Sequence, residues 1–151
     1  MLKNIFFQIF LIFTAYSHVQ AQSKQNVLDH FSFVSPVKHN YKLTGNFCEL
    51  RNAHFHGGID IRQSWTGKDT IFSIGDGFIS RIQVSASGYG LAVFVEHPKH
   101  GLTSVYAHLD KFNNEVSAYV KNQQILKESN EVDILLSPEI FQVQKGQYLG
   151  L

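Results

Sequence analysis

The sequence predicts a mostly β fold, an antiparallel sheet or half-open β-sandwich, with one inserted helix. Three observations carry that expectation. Short β-branched and aromatic runs recur at about the eight-to-twelve-residue spacing of sandwiches and barrels, with glycine-rich turns between them. Nothing alternates strand with helix as a parallel α/β sheet does. One stretch, residues 113–130, changes period and carries helix-start signals.

The elements follow in chain order. Residues 22–40 are polar with scattered aromatics and read as an entry segment to a domain spanning 41–151. Residues 70–74 (TIFSI) have strand composition, and Gly75-Asp76-Gly77 then breaks the run as a tight hairpin turn. Residues 78–84 (FISRIQV) roughly alternate, Gly88 and Gly90 make a flexible loop, and 91–96 (LAVFVE) form the next strand. A turn at Pro98–Gly101 leads to a strand at 102–107. In the insert, Asn113 or Asn114 can cap and Glu115 favours a first turn. Val116, Tyr119, Val120 and Leu126 mark one face, interrupted by Gln123, of a helix expected at about 114–127. Strand-like residues follow at 132–136, then turns at Ser137-Pro138 and 144–147, and an apolar strand-like ending at 148–151.

Composition narrows the function. The chain has 151 residues, 44% hydrophobic and 17% charged, which suits one folded domain rather than a disordered segment. Thirteen basic against twelve acidic residues leave no basic stripe for a nucleic-acid partner. A single cysteine, Cys48, excludes an intrachain disulfide and is expected to pack in the core. Residues 1–21 read as a secretory signal peptide: Lys3 precedes an apolar run from Ile5 to Tyr16, and Val19 and Ala21 fit a small-residue cleavage site. That run is shorter than the roughly 20 residues a bilayer span needs. The expectation is an exported protein, periplasmic or extracellular, with no transmembrane segment in the mature chain.

Chemistry concentrates at residues 54–60 (HFHGGID), where His56 and Asp60 form H-x-x-x-D. An imidazole and a carboxylate are both good zinc donors. On a straight strand four steps span about 13 Å, too far for one metal. Gly57 and Gly58 disfavour a helix, so the backbone has to bend between the two donors. Taken alone the pattern is short, and a surface or turn carboxylate beside a hydrogen-bonded histidine is the better explanation of it. His108 lies at a strand exit, where a scaffold presents functional groups, or is a structural histidine bonded to a backbone carbonyl. His97 and His100 flank a turn and are expected to be solvated.

Five segments in order carry a resemblance: residues 54–60, 74–84 (IGDGFISRIQV), 88–97 (GYGLAVFVEH), 101–110 (GLTSVYAHLD) and 145–150 (KGQYLG). Together they resemble the lysostaphin-like, LytM-type zinc endopeptidases, which cut peptide cross-links in bacterial cell walls. The resemblance implies a β fold of the duplicated hybrid motif type, zinc as cofactor, peptidoglycan peptides as partners, and hydrolysis by zinc-activated water. It implies His56 and Asp60 as metal ligands and His108 as a catalytic histidine. Arg51, His54 and Tyr89 are candidate substrate contacts; Arg51 suits a carboxylate, and is otherwise a surface arginine. The family's third zinc ligand belongs to an H-x-H that follows the K-G-Q-x-x-G turn, and the chain ends at Leu151 before it. The expectation is therefore a domain incomplete at its C-terminus. The alternative functions are a non-catalytic peptidoglycan-binding or regulatory module, or an inactive truncated fragment.

Overall fold

Four strands with strong β-branched character make up most of the five-stranded main antiparallel sheet. The computed structural model describes residues 32–65, 67 and 69–151; the signal segment, His18, His30 and the start of the entry segment lie outside the described residues. Two short strands, β1 (Leu43–Gly45) and β2 (Asp60–Ile61), pair with each other. A second small pair joins β3 (Ile71–Phe72) to the last strand, β9 (Tyr148–Gly150). The main sheet runs β6 (Leu102–Leu109), β5 (Leu91–His97), β4 (Gly77–Val84), β7 (Val132–Leu135), and β8 (Gln142–Val143) pairs with the start of β4. All pairings are antiparallel. The helix α1 (Asn114–Leu126) enters after β6.

The inward face of the sheet makes the core. Ile79 and Ile82, Val93 and Val95, Tyr106 and Leu109, and Val132 and Ile134 come from four neighbouring strands. Val116 and Val120 from α1, with Phe112, Phe141, Val143 and Leu149, complete the cluster. Ile79 and Ile82 are three apart yet share a face. A bulge explains this: Ile79 faces Val95 and Arg81 faces Phe94, so Ser80 is an extra residue that shifts the parity of β4. The expected helix is present, capped by Asn113, whose side-chain oxygen accepts from the Val116 N–H at 2.9 Å. Among the described residues no helix is long and apolar enough to cross a membrane.

Four local expectations need correction. The Gly75–Gly77 turn is not a hairpin joining two strands of one sheet. Residue 73, which would lengthen β3, is engaged elsewhere: Ser73 N–H donates to the Gln147 carbonyl and its hydroxyl to the Gly75 carbonyl at 2.7 Å. Leu126 does not pack; it is 75% exposed, because it is the last helical residue and burial along that face stops at Val120, before Gln123. Cys48 is exposed rather than in the core, at a bend where it takes a left-handed φ of 62°. His97 is fully buried rather than solvated. It ends β5 with its ring against Gly75 and Gly77, where a Cβ on either would come within 3.2 Å of Nδ1. Both ring nitrogens are satisfied, by the Asp76 carbonyl and the Ser104 hydroxyl, each at 2.8 Å, so burial leaves neither orphaned.

Candidate metal centre

The segment between β1 and β2 folds back on itself. Residues 48–51 and 54–56 form a small hairpin: Cys48 N–H donates to the His56 carbonyl, His56 N–H to the Glu49 carbonyl, and Arg51 N–H to the His54 carbonyl. A bridge between Leu50 and Phe55 lies within it. This hairpin carries His56 on its return arm, and the chain turns through Gly57 and Gly58 into β2, which begins at Asp60. The turn needs no left-handed glycine, since neither Gly57 nor Gly58 takes a positive φ. It does close the gap: His56 Nε2 lies 3.2 Å from Asp60 Oδ1.

Each donor is held from behind. His56 Nδ1 is 3.0 Å from the Asn46 carbonyl oxygen. A carbonyl only accepts, so Nδ1 carries the proton and Nε2 keeps its lone pair in the neutral ring. Arg51 Nη2 donates to Asp60 Oδ2 at 2.7 Å. That hydrogen bond is the leading cause of the lowered pKa of Asp60; burial opposes it, and His56, Arg51 and, last, His108 add electrostatic lowering. Asp60 also raises the pKa of Arg51. Arg51 Nε sits 3.4 Å from Glu49 Oε1. The guanidinium proposed as a substrate contact is thus directed at two carboxylates of its own chain.

His108 comes from another sheet, at the end of β6 in the main one. Leu91 faces Leu109 and Val93 faces Tyr106, so Ala107 and His108 together oppose Ala92. This bulge puts His108 at φ 57°, a left-handed conformation that costs a non-glycine residue on the order of 1 kcal/mol or more. The surrounding structure holds it there: His108 N–H donates to the Tyr89 carbonyl at 2.9 Å, and the His108 side is exposed. Bulges re-aim side chains in this way. Tyr89 is half exposed, with its ring edge-on to Phe94. His54 is exposed on the hairpin.

His56 and Asp60 are therefore brought together, while His108 reaches Asp60 only through its field. Among the described residues no third His, Cys, Asp or Glu joins the pair in a group able to hold a metal. The model described as peptidase family M23 matches residues 54–133, more than half of the chain and the span that holds His54, His56, Asp60, Tyr89 and His108. The chain belongs to peptidase family M23. No curated protein and no solved structure compared with it matches. The matched span runs from the H-x-x-x-D segment through β6 and α1 to the start of β7. Arg51, Asn46 and Gly45 lie before the matched span, and no spacing in the sequence pointed to their contacts with the two donors.

Proposed function

We propose that this M23 chain is an exported metallopeptidase domain that hydrolyses peptide bonds of bacterial cell-wall peptidoglycan with zinc. The observation that carries this reading is the 3.2 Å separation of His56 Nε2 and Asp60 Oδ1. Zinc binds imidazole nitrogen and carboxylate oxygen at about 2.0–2.2 Å, so two ligands of a tetrahedral ion lie about 3.3 Å apart. The pair matches that edge. It also needs something between its members, because a deprotonated Nε2 and a carboxylate oxygen repel unless a proton or a cation bridges them. The donors fit the ion, and a further ligand has to come from outside the described residues. When bound, zinc supplies Lewis acidity toward a carbonyl and toward water.

In this reading His56 and Asp60 hold the ion. His108 takes or gives a proton, the general acid–base role that an imidazole can fill. The leader-like first 21 residues support export. A second reading, a wall-binding or regulatory module without turnover, is favoured by the lack of a third donor among the described residues. One experiment separates the two: purified protein is incubated with isolated peptidoglycan, released peptides are chromatographed, and zinc is measured in the same sample. The enzyme reading expects stoichiometric zinc and peptide release, with His56→Ala and Asp60→Ala losing both. It expects His108→Ala to retain zinc and lose about 10²–10⁴ in turnover. Binding to peptidoglycan without peptide release would leave the second reading standing.

A further inference from the structure

We propose that Arg51, seated in the space left by Gly45, is a positioning residue that aims the Asp60 carboxylate at the point it shares with His56. The proposal rests on reading those two residues as metal ligands. Asp60 opens a two-residue strand and its side chain is 42% exposed, so packing alone does not choose its rotamer. Arg51 chooses it. Nη2 takes Oδ2 at 2.7 Å, and the other oxygen, Oδ1, is then the one that faces His56 Nε2.

The guanidinium does not fill the gap between the donors. It contacts the far oxygen of Asp60 and lies 3.4 Å from His56 Nδ1, the ring nitrogen that does not face Asp60. Since Nδ1 is already protonated toward Asn46, that last approach is donor against donor and not a hydrogen bond. Arg51 therefore neutralises the acid from behind while the facing lone pairs stay open. Carboxylates that ligate metals are commonly held this way by an outer partner.

Gly45 is the second observation. It is the register partner of Asp60 across β1 and β2. A Cβ there would lie 2.2 Å from Asp60 Oδ2 and 2.5 Å from Arg51 Nη2. Its φ is not left-handed, so glycine is required for room and not for backbone freedom. Both crowded atoms are ends of rotatable side chains. Alanine at this position should expel the ion pair and leave the strand pairing in place.

The test is zinc affinity of the full chain, by competition with a chromophoric chelator, together with the visible spectrum of the cobalt(II) form. Gly45→Ala and Arg51→Gln are expected to weaken zinc binding about 10–100-fold and alter the cobalt spectrum. Arg51→Lys, which keeps a charge for Oδ2, should recover most of that loss. The melting temperature measured with excess chelator should move little in Gly45→Ala, which separates positioning from folding. Should Arg51→Gln fail to fold, Gly45→Ala and Arg51→Lys decide. Wild-type affinity and spectrum in Gly45→Ala and Arg51→Gln would overturn the proposal while leaving His56 and Asp60 as ligands. A wild-type chain that holds no zinc, or holds it equally well as His56→Ala, would overturn the ligand reading and this proposal with it.

Discussion

Replacing His97 by alanine should be among the costliest single changes in the domain. The ring is fully buried and its two nitrogens anchor a chain of hydrogen bonds. Nδ1–H donates to the Asp76 carbonyl at 2.8 Å, so in the neutral ring Nε2 must accept from the Ser104 hydroxyl, also at 2.8 Å. Ser104 Oγ lies 3.0 Å from the Tyr106 hydroxyl, which accepts from the Ile74 N–H at 2.8 Å. With Ser104 donating to the ring, Tyr106 donates to Ser104, and every polar group has a partner. Alanine would take the partner from the Asp76 carbonyl and one of two partners from the Ser104 hydroxyl, which keeps Tyr106. The carbonyl left without its partner costs about 1–3 kcal/mol, before the lost ring packing against Phe33. A domain of this size loses about 4 °C per kcal/mol, and the midpoint should drop by roughly 4 °C or more. Urea denaturation followed by circular dichroism measures it directly. Pairing His97→Ala with Ser104→Ala in a double-mutant cycle should show coupling of about 1 kcal/mol. A loss below about 1 kcal/mol in His97→Ala would mean that water enters and satisfies the Asp76 carbonyl, and the network argument would fail.

Other changes act through simpler contacts. Gly77→Ala should destabilise by about 1–3 kcal/mol in urea unfolding, since its Cβ would fall 1.9 Å from the Glu96 carbonyl oxygen and force β4 from β5. Asn113→Ala removes the cap of α1 and should cost about 1 kcal/mol, read from the same transition. Arg81 holds Asp133 by two hydrogen bonds at 2.7 and 2.5 Å, and this hydrogen bonding is the leading cause of the lowered pKa of Asp133. A depressed carboxylate stabilises the fold above its unfolded value of about 3.9 and loses that contribution as pH falls through the folded value. Comparing Asp133→Asn with wild type should therefore show a deficit at pH 6 that shrinks as the pH falls below the unfolded value of about 3.9. Both side chains are more than a third exposed, so the deficit should stay under about 1 kcal/mol.

Local sequence determined the kinds of element and the chemistry on offer. The β-branched runs with glycine turns, the Asn113 cap and the H-x-x-x-D segment are written in neighbouring residues, and β4 to β7 and α1 appear where those signals lie. Only the tertiary structure decided pairing, parity and aim. That β3 joins β9 rather than β4 depends on residues some seventy-five positions away, beyond any local pattern. One extra residue at Ser80 and another at Ala107–His108 flip which side chains face in, and a bulge is a register choice between two strands with no signature in either alone. His97 looked like a turn residue because its partners, Asp76 and Ser104, approach only on folding. The same holds at the two donors. Residue types and spacing proposed His56 and Asp60, but which oxygen faces the ring was set by Arg51 and by the missing side chain of Gly45, brought alongside when β1 pairs with β2.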